Sequence, residues 1–176
     1  MRLRLLCVAA ACLLLAAACD PVPSGAKRRS QPALVVQRLG ATKVSVRYNR
    51  PSARGRELFG GIVPWDSVWN PGADEATRLS TSRDLAVGGR VLAAGDYSIW
   101  MIPDSAEAWT VIFSRAADVP HVPYPEGEDA LRLLITPQRT PFVETLSFSF
   151  PAATPDSALL LFQWGETTIP IGLRPR

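Results

Sequence analysis

Cysteine and histidine are scarce in this chain of 176 residues. The three cysteines all lie within the first 19 residues, and the one histidine is His121. A single histidine excludes a metal site built from several histidines, and the chain after residue 19 has neither a disulfide framework nor a thiol nucleophile. We therefore expect a body that folds without disulfides or a metal, and we predict no cofactor.

Excess charge of one sign is absent from most of the chain. The formal net charge is +3, but five basic residues precede Ser30, and the rest of the chain has 14 Lys and Arg against 15 Asp and Glu. A domain that binds nucleic acid needs a basic face on its folded body. This balance excludes nucleic acid as a partner.

Long hydrophobic runs are also missing, and the longest one belongs to an export signal. Arg2 and Arg4 precede an apolar run of 14 residues, 5–18, which is shorter than the about 20 residues of a membrane-spanning helix. A basic start followed by a short apolar stretch is typical of a signal peptide, here residues 1–18. The sequence Leu15-Ala16-Ala17-Ala18-Cys19 resembles the lipobox of bacterial lipoproteins. That resemblance implies cleavage before Cys19 and attachment of acyl chains such as palmitate to it.

The anchor at Cys19 would hold the protein in the cell envelope, on the periplasmic or outer face of a bacterial membrane. Several acyl chains anchor a protein stably, whereas one chain does so only marginally. Membrane lipid is thus the expected partner, and an ordinary secreted protein is the alternative. Residues 19–32 combine this anchor with a tether, because they contain prolines, a glycine and a basic triplet but no apolar periodicity.

From residue 33 to residue 176 the dominant hydrophobic period is two. Alternation over four to eight residues, rich in β-branched and aromatic side chains, indicates half-buried strands. Gly88-Gly89 predicts a two-residue hairpin turn, because both glycines tolerate positive φ. About ten strands joined by tight turns predict an all-β domain, an antiparallel β-sandwich or jelly-roll-like fold. The predicted strands are 33–39, 43–48, 77–82, 85–87, 90–92, 96–102, 109–114, 131–135, 142–150, 158–164 and 168–173.

A long segment between Tyr48 and Ala76 fits neither a strand nor a helix. Connections of this length are uncommon in compact domains and are usually functional or disordered. The hydrophobic residues and two tryptophans of this segment argue against disorder. We expect an ordered loop that packs over a sheet edge or one end of the sandwich.

Motifs in this loop and in the strands resemble one bacterial family. They include Tyr48-Asn49-Arg50-Pro51, Gly72-Ala73-Asp74-Glu75-Ala76-Thr77, Ala94-Gly95-Asp96-Tyr97-Ser98, Trp109-Thr110-Val111-Ile112-Phe113 and Glu144-Thr145-Leu146. Together they are similar to the domain of unknown function 2911, over roughly residues 34–173. The resemblance implies an exported protein, often a lipoprotein, and it assigns no activity.

The same loop carries the candidate ligand-binding residues. Arginines can hold a carboxylate or phosphate through paired hydrogen bonds, and sugars stack on tryptophan and bond to carboxylates. A small molecule or glycan is therefore a possible ligand. The alternative is structural, with Arg56 paired to Asp74 or Glu75. The candidates are Arg50, Arg54, Arg56, Trp65, Trp69, Asp74, Glu75 and Glu144.

Glu144 has the strand phase of Phe142, Leu146 and Phe148, which predicts that it faces the core. A buried carboxylate needs a partner. We expect a loop arginine or a backbone N–H group in that role, with a solvent-exposed strand end as the alternative. Pairing would hold the loop over one end of the sandwich.

Catalysis is the second functional hypothesis. Asp66, Asp74 and Glu75 supply carboxylates for a glycosidase-like hydrolase. A serine triad would need His121, but the chain lacks the Gly-x-Ser-x-Gly motif. The sequence therefore favours a non-catalytic module that binds a ligand or interacts with the envelope, with no catalytic residues assigned.

Overall fold

A computed structural model describes residues 30–176 of the chain. The predicted signal peptide, the predicted lipidation site Cys19 and most of the predicted tether lie outside these residues. Within the described part the chain forms ten strands and no helix. No helix there is both long and apolar enough to cross a membrane.

The ten strands confirm the predicted all-β class. Two of them are much longer than predicted, because the segments 158–164 and 168–173 belong to one strand and the segment 142–150 extends at both ends. The strands are β1 Gln31–Leu39, β2 Thr42–Arg50, β3 Arg78–Thr81, β4 Leu85–Val87, β5 Arg90–Leu92, β6 Gly95–Ile102, β7 Trp109–Ser114, β8 Asp129–Ile135, β9 Gln138–Thr154 and β10 Ser157–Pro175.

The strands form two antiparallel sheets, as expected for a β-sandwich. One sheet has six strands in the order β1-β2-β3-β6-β7-β8, and the other has four in the order β5-β4-β10-β9. The predicted hairpin joins β4 to β5, and Gly88 and Gly89 both have positive φ there. Turn chemistry and alternation were therefore sufficient to predict these elements.

The main core lies between the sheets and is rich in aromatic side chains. Phe113 from the six-stranded sheet and Phe148, Phe162 and Trp164 from the four-stranded sheet are all buried. Each such side chain contributes about 2–3 kcal/mol of hydrophobic stabilisation. Phe150 is only partly buried but packs against the same cluster.

A second, smaller cluster lies on the outer face of the six-stranded sheet. Trp100 and Ile112 are buried there together with Ala76. The connection between β7 and β8 covers them, and its Tyr124 ring lies 5.1 Å from the ring of Trp100. This packing places the connection that contains His121 next to the long loop.

The long loop, residues 51–77, is ordered over the sandwich as predicted. The N–H of Ala53 donates to the carbonyl of Glu144 at 2.8 Å, which ties the loop to β9. Trp69 and Met101 exchange two backbone hydrogen bonds of 2.8 Å, which tie the loop to β6. The loop therefore contacts both sheets.

The predicted face of β9 is wrong at its first residues. Phe142 is 59% exposed, and Glu144 is exposed as well, whereas Leu146 and Phe148 are buried. The pairing of β9 with β10 shifts register on either side of Gly165. Such irregularities bend a strand and disrupt its pairing locally, and simple alternation of burial does not hold along the whole of β9.

Candidate functional site

Five parts of the chain meet at a cleft of about 760 Å³. They are the start of β1, the end of β2 with the first residues of the long loop, the turn at residues 73–74, the connection between β7 and β8, and Thr145 of β9. The lining residues include four of the eight predicted ligand-binding residues, Arg50, Arg54, Arg56 and Asp74, together with His121. We call this cavity the arginine cleft.

A tight turn holds two of the arginines. Arg54 and Gly55 both have positive φ, at 53° and 67°. The Nε of Arg56 donates to the carbonyl of Ala53 at 2.9 Å, and its Nη2 donates to the carbonyl of Ser52 at 2.7 Å. Arg56 therefore stabilises the turn through backbone carbonyls, and it forms no ion pair with the expected Asp74 or Glu75.

Glu144 holds the same turn from β9. Its Oε1 accepts a hydrogen bond of 2.8 Å from the N–H of Arg54. The predicted backbone partner is confirmed, but the predicted burial is wrong because Glu144 is solvent-exposed. Glu144 lies behind the arginine cleft rather than in its lining, and it acts there as a support.

Arg50 and Asp74 both line the arginine cleft. The Nε of Arg50 and the Oδ2 of Asp74 are buried from solvent and have no hydrogen-bond partner. The two side chains form no ion pair within 4.0 Å. They therefore line one cavity without pairing with each other.

His121 also lines the arginine cleft, although its position in the sequence does not identify it as a candidate ligand-binding residue. Its Nδ1 lies 2.6 Å from the carbonyl oxygen of Asp74. Because a carbonyl only accepts, Nδ1 must carry the proton, which leaves Nε2 as the second polar atom of the ring. His121 lies 47 residues from Asp74 in sequence, so no local pattern could have paired them.

A second cleft of about 480 Å³ shares Asp74 as a lining residue. Glu75 lies in this second cleft, and its Oε2 accepts a hydrogen bond of 2.8 Å from the Nδ2 of Asn49. Arg78 forms an ion pair of 2.7 Å with Asp96 and a second one with Asp118. The hydrogen bond from Arg78 and then that from Ser80 hold the pKa of the Asp96 carboxyl below its usual value.

The two predicted tryptophans lie away from these cavities. Trp69 stacks on Trp164 with ring centroids 5.9 Å apart and an angle of 13° between the planes. Trp65 is 37% exposed and contacts Phe59 and Trp109. Both rings belong to an aromatic cluster that closes the sandwich, and neither lines the arginine cleft.

Two of the three carboxylates proposed for hydrolysis share a cavity. Asp74 and Glu75 are consecutive residues, and both line the second cleft. Asp66 lines neither cleft, and its N–H donates to the carbonyl of Pro103 at 2.9 Å. Over residues 30–176 no group of three or more His, Cys, Asp or Glu is arranged to hold a metal ion.

The charge of the arginine cleft is its main chemical feature. Three arginines and one aspartate line it, and none of the three arginines forms an ion pair with a carboxylate of the described part of the chain. Guanidinium groups match the geometry of carboxylates and phosphates. The cleft therefore suits a small anion.

One comparison with known proteins gives a match. A family model described as "Protein of unknown function (DUF2911)" matches residues 30–173. No curated protein and no solved structure matches the chain.

Proposed function

The chain belongs to the DUF2911 family of proteins of unknown function, and we propose that it is an exported, membrane-anchored lipoprotein whose arginine cleft binds a small anion. The ligand carries a carboxylate or phosphate group. The protein acts as a non-catalytic binding module. The observation that carries this proposal is the set of three arginines at one cleft, none of them neutralised by a carboxylate of residues 30–176.

Hydrogen bonds between β9 and the turn that carries Arg54 support the proposal. Glu144 fixes the backbone of Arg54, and Ser52 bonds to Thr145 of β9 at 3.2 Å between their hydroxyl oxygens. A site that is already ordered loses less conformational entropy when a ligand binds. The turn is therefore preorganised for binding.

The lipid anchor places the cleft near a membrane. Cys19 precedes Ser30 by eleven residues, and an extended chain spans at most about 40 Å over that length. Ser30 itself lines the arginine cleft. A ligand of the cell envelope is thus within reach of an anchored protein.

Thermal unfolding of the purified, lipidated protein in detergent tests the binding proposal. Inorganic phosphate and succinate serve as probes, at about 50 mM and against sodium chloride of equal ionic strength, because a ligand that binds only the native state raises its stability. We expect at least one probe to raise the Tm by several degrees. An unchanged Tm with both probes would contradict the proposal.

Two matched variants test whether the anion binds at the arginine cleft. Arg54→Gln removes a cleft guanidinium but keeps the backbone N–H that Glu144 holds. We expect it to weaken binding at least about tenfold, in line with a charge-assisted hydrogen bond. Arg38→Gln, at the far end of β1, makes the same change in net charge and should leave binding unchanged.

A further inference from the structure

Both exposed aromatic side chains of residues 30–176 lie at one end of the sandwich. Trp65 of the long loop is 37% exposed, and Phe142 of β9 is 59% exposed. The loop meets β9 and β10 there, because Leu58 lies against Gly165, which pairs with β9 at the residue after Phe142. Large apolar side chains exposed in one region mark interaction surfaces, whereas scattered ones are ordinary. This end of the sandwich is therefore a candidate interaction surface.

Two aliphatic side chains of the long loop are exposed on either side of Trp65. Ile62 is 43% exposed and Val68 is 37% exposed. We call residues 62–68, with these three exposed side chains, the apolar loop. The other exposed aliphatic side chains of the described chain are distributed over β1, β5, β8 and the connection between β7 and β8. The apolar loop thus combines an indole ring with two aliphatic side chains in one short segment.

The surrounding structure holds the Trp65 ring in place. Gly60 has a φ of 89°, and a Cβ at this residue would lie only 2.4 Å from the Nε1 of Trp65. The ring lies 6.4 Å from the ring of Trp109, and the N–H of Asp66 donates to the carbonyl of Pro103 at 2.9 Å. A side chain that is already ordered loses less conformational entropy when it meets a partner.

The described chain begins at this same end of the sandwich. Ser30 lines the arginine cleft together with Arg54 of the long loop. In the six-stranded sheet β1 starts where β2 ends, and β2 and β6 run in the same direction because β3 is antiparallel to both. Trp69, which follows the apolar loop directly, bonds to Met101 near the end of β6. The start of β1 and the apolar loop therefore share one end.

The proposed lipid anchor lies a short distance along the chain from this end. Cys19 precedes Ser30 by eleven residues, and an extended chain of that length spans at most about 40 Å. A short linker raises the effective concentration for a second contact to about the millimolar range. Even a weak affinity of the apolar loop for lipid is then enough to bring this end onto the membrane.

The charges around the apolar loop balance each other. Arg54, Arg56 and Glu57 precede it, Asp66 lies within it, and all four residues are exposed. A surface without excess positive charge gains little from anionic headgroups. Indole rings and aliphatic side chains, in contrast, suit the interface between headgroups and acyl chains. This composition favours an apolar contact with lipid over an electrostatic one.

We propose that this end of the sandwich docks on the membrane that holds the lipid anchor. The side chains of Ile62, Trp65 and Val68 enter the interface between the headgroups and the acyl chains. The protein is then held at two places, which fixes the orientation of its domain on the membrane. This inference goes beyond anion binding in the arginine cleft, and it rests on the proposed lipid anchor.

Quenching of tryptophan fluorescence tests the docking. The purified, lipidated protein is reconstituted in phosphatidylcholine vesicles whose acyl chains are brominated near the headgroup, with unbrominated vesicles as the reference. We expect the brominated lipid to quench the emission, because Trp65 would lie among the upper parts of the acyl chains. The quenching should persist in about 0.5 M sodium chloride, which screens charges but leaves apolar contacts intact.

Flotation of the same vesicles distinguishes failure of the docking from failure of the anchor. Protein that floats with the vesicles but is not quenched would overturn the docking and leave the lipid anchor intact. Protein that does not float would reject the anchor and the docking together. The effect of phosphate on the Tm tests anion binding separately from both.

Trp65→Phe identifies the ring that meets the lipid. Phenylalanine keeps an aromatic ring beside Phe59 and Trp109 but has no indole emission. We expect this variant to lose most of the quenching. Unchanged quenching would place another tryptophan at the membrane and would contradict the proposal.

Val68→Asp and Val36→Asp form a matched pair of variants. The two valines are 37% and 47% exposed, and Val36 lies on β1, outside the long loop. Because a charged side chain is costly to place in a membrane, Val68→Asp should weaken the quenching and Val36→Asp should not. Equal quenching of the two variants would overturn the proposal. The quenching of the unmodified protein tests the docking even if a variant fails to fold.

A second copy of the chain is the alternative occupant of the apolar loop. Analytical ultracentrifugation of the lipidated protein in detergent measures its oligomeric state. We expect a monomer. A dimer that Val68→Asp dissociates would assign the loop to association between copies and would overturn the membrane docking.

Discussion

At the scale of the residue, Asn70 shows how one polar side chain holds the long loop to the sheet. It is 2% exposed, and both ends of its amide are used. The Nδ2 donates to the carbonyl of Ile99 at 2.8 Å, and the Oδ1 accepts from the N–H of Thr77 at 3.1 Å. The side chain thus satisfies two buried backbone groups at once.

Asn70→Ala should lower the free energy of unfolding by about 3 kcal/mol. The carbonyl of Ile99 and the N–H of Thr77 would stay buried without partners, and each such loss costs about 1–3 kcal/mol. Urea unfolding followed by tryptophan fluorescence measures the change. Ser67→Ala, which removes an exposed hydroxyl bonded only to the carbonyl of Trp65, is the control. A loss below about 1 kcal/mol for Asn70→Ala would contradict this role.

Glu144→Ala should have a smaller effect than a buried ion pair would imply. The side chain is exposed and accepts one backbone hydrogen bond, from Arg54. Such a bond contributes about 0.5–1.5 kcal/mol, whereas breaking a buried ion pair costs about 3–5 kcal/mol. Urea unfolding distinguishes the two, and a loss above about 3 kcal/mol would show that the buried-pair interpretation was correct after all.

At the scale of the element, the alternation of apolar residues predicted almost every strand. It failed for the face of β9 near Phe142 because the register there shifts beside Gly165. The same alternation of apolar residues also predicted two separate strands where the structure has the single strand β10. Bulges arise from pairing with a neighbouring strand, and the pattern of one strand does not contain that information.

The stability of the junction between β3 and β6 should depend on pH through the carboxyl group of Asp96. The pKa of Asp96 is lowered in the folded state, first by Arg78 and then by Ser80. The contribution of the Asp96 carboxylate to the free energy of unfolding is therefore complete above the pKa of 3.8 in the unfolded chain. This contribution is lost as the pH falls towards the lower pKa of the folded state. Because the side chains of Arg78 and Asp96 are both partly exposed, we expect their ion pair to contribute less than about 1 kcal/mol to the free energy of unfolding.

Asp96→Asn tests this dependence. The variant should be slightly less stable than the original protein near pH 7, and the difference should shrink as the pH falls towards about 2.5, because the carboxyl group of Asp96 then takes up a proton. Urea unfolding at the two pH values gives the comparison. A difference that persists in acid would mean that the ion pair is not its source. Asp156→Asn, at an exposed turn between β9 and β10, is the control.

At the scale of the whole molecule, the lipid anchor proposed at Cys19 predicts where the protein is found. We expect Cys19→Ser to move it from the membrane fraction to the soluble fraction, because the acyl chains hold it and one serine cannot be acylated in the same way. Fractionation and mass spectrometry of the N-terminal peptide measure this. Retention of the variant in the membrane, or an unmodified Cys19 peptide, would contradict the lipoprotein proposal.

The sequence by itself determined the strand content, the hairpin at Gly88 and Gly89, the ordered long loop and the family. All of these depend on local periodicity, on turn chemistry or on motifs read along the chain. It also named the arginines that line the cleft. Local sequence contains enough information for such features because neighbouring residues create them.

Only the tertiary structure decided which residues share the site. It brought His121 to Asp74, placed Glu144 behind the turn, and put Trp65 and Trp69 in an aromatic cluster. It also revealed the unpaired atoms of Asn49, Arg50 and Asp74. These relations join residues that lie far apart in the chain, and they arise from the packing of loops on two sheets, which the order of the residues alone does not specify.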